Sequence, residues 1–188
     1  MRYGYPFPSL VLRVCLILLL ISPGCGGMES DGPDPAARNV VLMIGDGLGV
    51  SQLSAARIVG GGLNIDRMNS IGLQSTTPAT GLVTDSAASM TAIATGYKTD
   101  NGRLSVNPEG AVLKTILEHA EESGMLTGLV ATSSVTHATP AALAAHVTDR
   151  SMDEEIAWQI SRSGVDMLIG GGMGWFLPRE SEGSLRED

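Results

Sequence analysis

Three runs of mostly apolar residues recur along the chain: "NVVLMIGDG" at 39–47, "MLTGLVATSS" at 125–134 and "VDMLIGGG" at 165–172. Segments with helical spacing lie between them. This alternation constrains the fold more than any other feature. Unbroken apolar runs bounded by turn residues suit strands buried on both faces, and strands alternating with helices imply parallel pairing through helical crossovers. The expectation is an α/β domain, a mostly parallel sheet with helices on both faces. Helices are expected over 50–59 (Leu53, Ala56 and Val59 inward), over the Ala-rich 86–94 and over 111–124. In the last of these, Val112, Ile116 and Leu117 form the apolar face and Gly124 is the stop. Further helices are expected from Thr139, as cap with Pro140 at the first position, and over 152–164. A short strand is expected at 72–76.

The chain has 188 residues, 43% of them apolar, and a net charge of −8. That is enough apolar material for a core in one domain, or in part of a larger one. The acidic balance excludes nucleic acid and anionic membrane as electrostatic partners. Residues 1–24 combine Arg2 and Arg13, the apolar "VCLILLLI" and the exit "SPG", the pattern of an export signal. Cys25 follows small residues as at a bacterial lipoprotein cleavage site, although Ser22 departs from the usual aliphatic. The protein is therefore expected in the periplasm or cell envelope, with lipidated Cys25 as an anchor. Residues 25–38 read as a flexible linker, and 39–188 as the folded portion.

In a parallel sheet the working groups sit on loops at the carboxyl ends of strands. Three such loops carry suggestive residues. Asp46 in "GDG" fits either an Asx-type turn or a metal ligand. Ser86 in "TDSAAS" fits either a helix cap or a nucleophile facing an anionic group at the helix N-terminus. It has no histidine beside it in sequence, so activation would need a metal or a distant base. In "THATPAALAAHVTDR", 136–150, His137 and Thr139 are two apart, and in an extended chain they would point at one ion. Arg150, at the end of the helix that Thr139 opens, suits either phosphate binding or compensation of a helix dipole. His119 and His146 are read as helix residues without partners.

Together, "VVLMIGDGLG", "TPATGLVTDSAASMTAIATGYKTDNGRLSV", "HATPAALAAHVTDR" and "DMLIGGG" resemble the alkaline phosphatases, in order and over about residues 39–176. The resemblance implies hydrolysis of phosphate monoesters through a phosphoserine at Ser86. It implies that Asp46 bridges Zn2+ and Mg2+, that His137 lies at or near the Mg2+ site, and that Thr139 is a hydroxyl ligand to Mg2+. Arg150 would clamp the phosphate and Asp85 would orient Arg150. The family's remaining zinc ligands and a glutamate completing the magnesium site come from its second half. The chain stops near the family's midpoint, so it is expected to be an N-terminal portion, inactive by itself. A homodimer is the family expectation for the full-length protein. Two alternatives stand beside this: a related phosphodiesterase- or sulfatase-type hydrolase, and a silent envelope-anchored domain binding phosphate or metal. A Rossmann or P-loop nucleotide site is disfavoured, because "GDGLG" lacks the required third glycine and no G-K-[ST] occurs.

Overall fold

The structure is a computed structural model that describes residues 38–187. The expected export signal, Cys25 and nearly all of the linker lie outside the described residues. The chain divides into two units, Met1–Met43 and Ile44–Asp188. Of the first, residues 38–43 are neither helix nor strand, and Val40, Val41 and Met43 are exposed. The strand expected at 39–47 is therefore absent, as is the one at 72–76. A strand needs a ladder partner for its N–H and C=O groups, and among the described residues the sheet has two strands, each the other's partner.

In the second unit α1 (Val50–Gly60) and a 3₁₀ turn (Asn64–Arg67) come first. They are followed by α2 (Ser86–Thr95), α3 (Ile116–Glu122), β1 (Gly128–Ser134), α4 (Ala138–Ala141), α5 (Asp153–Ile160), β2 (Met167–Gly171) and a 3₁₀ turn (Met173–Trp175). β1 and β2 pair in parallel, Leu129 opposite Leu168 and Val130 opposite Ile169, with an irregularity before Ser134 pairs with Gly171. Two features of the expected α/β architecture are present: the parallel pair, and a crossover from β1 to β2 that contains α5. Burial is one-sided, however. Leu129 is buried, whereas Val130 is 67% and Ile169 53% exposed. The glycines after β2 serve close packing. A Cβ on Gly172, whose φ is +91°, would lie 2.0 Å from Ser134 Oγ.

The core gathers Ala87, Met90 and Ala94 of α2 with Ala138 and Ala141 of α4, then Leu104, Leu117, Leu129, Val147, Ile156 and Ile160. This explains the dense run of small residues after Ser86. Alanines let α2 lie close against α4, and the few long side chains fill what remains. Of the buried hydroxyls, that of Thr99 has no hydrogen-bond partner among the described residues, and those of Thr91, Ser105, Thr115 and Thr136 are bonded. Thr91 Oγ1 donates to the Arg103 carbonyl at 3.1 Å and accepts from the Ser105 amide at 2.9 Å.

Three helices are shorter than their sequence pattern. α5, expected over 152–164, stops at Ile160. α3 starts at Ile116, because Thr115 is its cap: Thr115 Oγ1 accepts from the Glu118 amide at 3.2 Å, and Glu118 accepts the Thr115 amide at 2.7 Å. Val112 pairs instead with Val106 and is exposed. α4 ends at Ala141, where side-chain hydroxyls capture the next carbonyls: Ser105 binds that of Ala142, and Thr115 that of Leu143 at 2.7 Å. Thr139 consequently lies inside α4 and does not cap it, and Arg150 is on a loop well beyond the helix. α1 fully buries none of its residues: of its expected inward face, Ala56 and Val59 are exposed and Leu53 is half-buried.

Candidate active site

Asp85 is the N-cap of α2. Its Oδ1 accepts the Ala88 amide at 2.9 Å, a bond of a kind that contributes about 0.5–2 kcal/mol. This resolves the ambiguity at Ser86. The capping position is taken by Asp85, so Ser86, the first helical residue, keeps its hydroxyl for another partner. That partner is Asp46, to which Ser86 Oγ donates across both carboxylate oxygens at 3.0 Å. Thr139 Oγ1 donates to Asp46 Oδ2 at 2.9 Å. Residues separated by 40 and 93 positions in the chain thus converge on one carboxylate. The Thr139 bond foremost, and then the Ser86 bond, hold the Asp46 carboxyl below its ordinary range, with weaker help from His137 and Arg150; partial burial opposes them.

The second half of the site is built around the other oxygen of Asp85. Oδ2 accepts the Gly102 amide at 3.0 Å and Arg150 Nη1 at 3.3 Å. The Arg150 amide in turn donates to the Gly102 carbonyl at 2.7 Å. Arg150 Nη2 donates to His137 Nε2 at 3.1 Å; a guanidinium has no acceptor, so Nε2 must accept. His137 and Thr139 therefore turn to different partners. The extended geometry that would have aimed them at one ion does not occur, since β1 ends at Ser134 and His137 sits at the N-cap position of α4.

The six residues singled out in the sequence form two hydrogen-bonded groups, Asp46 with Ser86 and Thr139, and Arg150 with Asp85 and His137, which meet at the consecutive residues Asp85 and Ser86 at the N-terminal end of α2. That end carries a partial positive charge and suits an anion. The oxygens of Asp46, Ser86 and Thr139 form a hard donor set of the kind Mg2+ prefers. Among the described residues no group of three or more His, Cys, Asp or Glu could hold a metal ion, so they do not assemble the nitrogen-rich set that zinc favours. Sequence reasoning gave no role to Asn101 and Gly102. The signal available was the Asn-Gly turn dipeptide within "TGYKTDNG". His146 also differs from its reading. It lies beyond α4 with its ring between the Ser105 carbonyl, 2.9 Å, and Glu118 Oε1, 3.0 Å.

The family model for alkaline phosphatase matches residues 37–187, and the chain belongs to that family. It is 38% identical to streptomycin-6-phosphate phosphatase of Streptomyces griseus, over 94% of this chain and 45% of that protein. It is 44% identical to the alkaline phosphatase of Escherichia coli, over 62% of this chain and 27% of that protein. Among solved structures, the alkaline phosphatase of the Antarctic bacterium TAB5 superposes with a TM-score of 0.69 at 40% identity, covering 72% of this chain and 40% of that one. A variant of the Antarctic enzyme with one histidine replaced by glutamate has Mg bound. The chain spans less than half the length of these relatives.

Proposed function

We propose that this chain supplies the nucleophile and phosphate clamp of an exported phosphomonoesterase. The observation that carries the reading is the meeting of two hydrogen-bonded groups at consecutive residues: Ser86 with Asp46 and Thr139, and Asp85 with Arg150. Ser86 Oγ gives up its proton and attacks phosphorus, the ester oxygen leaves with the electron pair of the broken P–O bond and takes up a proton to become the alcohol, and water then hydrolyses the phosphoserine to inorganic phosphate and free Ser86. Arg150 binds phosphoryl oxygens through its fork of N–H donors, and Asp85 holds that fork in place. Asp46, with its carboxyl held low, is a weak base and serves to orient the Ser86 hydroxyl. Asp46 and Thr139 are the residues that would hold Mg2+, with Zn2+ as the second ion of the family reading. Bound divalent cations lower the pKa of an attacking oxygen and offset charge on the phosphoryl group. Further ligands, the homodimer and envelope anchoring through Cys25 complete the proposal.

The test uses the complete gene product with p-nitrophenyl phosphate. Hydrolysis is expected to require divalent cations and to stop on chelation, and acid quenching during turnover should leave phosphate on the peptide containing Ser86. Turnover with the label on any other residue would overturn the assignment.

A further inference from the structure

The segment "KTDNG", 98–102, has no reactive role in the network, yet nearly every residue of it bonds to the loop that leads into Ser86. Lys98 Nζ donates to the Thr77 carbonyl at 2.7 Å and its hydroxyl at 2.6 Å. The Thr99 carbonyl accepts the Ala79 amide at 2.8 Å, and Asp100 accepts the Thr80 hydroxyl. Asn101 Nδ2 donates to the Val83 carbonyl at 2.9 Å, and Asn101 Oδ1 accepts the Asp85 amide at 3.0 Å. Gly102 then bonds Asp85 with its N–H and Arg150 with its C=O. Pro78 of the approach loop is buried, but nearer the nucleophile the loop has little packing to fix it, since Leu82 is 88% and Val83 81% exposed. Polar bonds to the second segment, together with the Asp85 cap and the Thr84–Ser89 contact, therefore set the position of residues 83–85.

We propose that Asn101 and Gly102 are positioning residues: Asn101 fixes the backbone immediately before the nucleophile, and Gly102 sets Asp85 and Arg150 relative to it. The inference rests on the phosphomonoesterase reading above. The Asn101 amide is oriented without ambiguity, because its two partners are one acceptor and one donor. Gly102 has a φ of +83° with open space where a Cβ would lie, so a substitution there strains the backbone without a clash.

The test compares Asn101→Ala and Gly102→Ala in the complete gene product by amide hydrogen exchange across residues 83–88, kcat on p-nitrophenyl phosphate, and inhibition by inorganic phosphate. In Asn101→Ala, exchange over 83–88 should quicken while the helix at 153–160 keeps its protection. Its kcat should fall about 10- to 100-fold, with phosphate inhibition changed less than about 3-fold because Arg150 keeps its Gly102 bond. Gly102→Ala should lower kcat and also weaken phosphate inhibition about 10-fold or more, as both ends of the clamp shift. Wild-type exchange over 83–88 in Asn101→Ala overturns the proposal, whatever the rate does. Absence of turnover in the wild-type protein would instead remove the phosphatase reading, and the exchange comparison would still decide whether Asn101 fixes the loop.

Discussion

The two sides of the α2 N-terminus are held in different ways. On the Asp85–Arg150 side, backbone groups do much of the holding: Asp85 is bonded by the amides of Ala88 and Gly102, and Arg150 is tied to Gly102 through its own amide. On the Ser86 side only side chains meet, at an exposed Asp46 that receives two hydroxyls. A clamp anchored through backbone is rigid before any ligand arrives. A set of hydroxyls on an exposed carboxylate is polar, adaptable and open to exchange of partners. The difference suits the proposed roles: a phosphate-binding group must be preorganised, whereas a nucleophile must release its proton and bond to phosphorus.

The largest effect separates the two sides outright. Ser86→Ala should lower phosphatase kcat by at least about 10⁴-fold, the scale seen when a nucleophile is deleted. Vanadate or phosphate binding should remain, since Arg150 is untouched; calorimetry with inorganic phosphate checks this. Loss of phosphate binding together with turnover would mean that the two sides are one cooperative unit.

Arg150→Ala should act in the complementary way. It removes the fork that faces the anion and should lower kcat/KM about 10²- to 10³-fold, in the range for a lost charge-stabilising donor, with a matching loss of phosphate inhibition. Lysine at this position should restore little, because its single ammonium cannot bridge Asp85 and two phosphoryl oxygens. A smaller effect is expected for Asp85→Asn. The cap acceptor at Oδ1 survives while the charge opposite Arg150 is lost, so the melting temperature should hold within a few degrees as phosphate inhibition weakens. If stability fell by more than about 2 kcal/mol, the upper end for a lost cap, the main task of Asp85 would be structural.

The contrast also explains what could be read from residues alone. Ser86, Asp85, Asp46, Thr139, His137 and Arg150 stood out because chemistry requires those residue types on loops and helix starts, and because the motif order resembles one family. The residues that hold them did not stand out. Asn101 and Gly102 act through backbone bonds that carry no reactive signature, and their partners are between 16 and 48 positions away. The helix positions failed for a related reason. Periodicity favoured a helix from 111 and one running on past Leu143, but the Thr115 cap and the capture of the Ala142 and Leu143 carbonyls are tertiary events. The runs at 39–47 and 165–172 read as doubly buried strands because apolar continuity records the preference of a segment. It does not record which neighbour covers it.

The smallest effect tests whether the partly exposed Glu118–His146 network at the α3 cap is electrostatic or merely steric. Glu118 joins the α3 cap to His146, which stands between His137 and Arg150 in sequence. Burial pushes its carboxyl up, but the Thr115 amide and His146 outweigh that and hold it below its ordinary value of 4.5. A carboxyl depressed in the folded state binds its proton more readily when the chain is unfolded. Its contribution is therefore present above the unfolded pKa and is lost as pH falls through the folded one. Wild-type protein should lose melting temperature progressively below about pH 4.5. Glu118→Gln keeps a side chain able to complete the capping box, so it isolates the charge. At neutral pH it should cost under about 1 kcal/mol, as expected for a partly exposed pair, or about 2–4 °C. The gap between variant and wild type should close as pH falls through the folded pKa of Glu118, below which both carry a neutral group. A gap that persists unchanged in acid would show that the Glu118 contribution is packing and hydrogen bonding, independent of its charge.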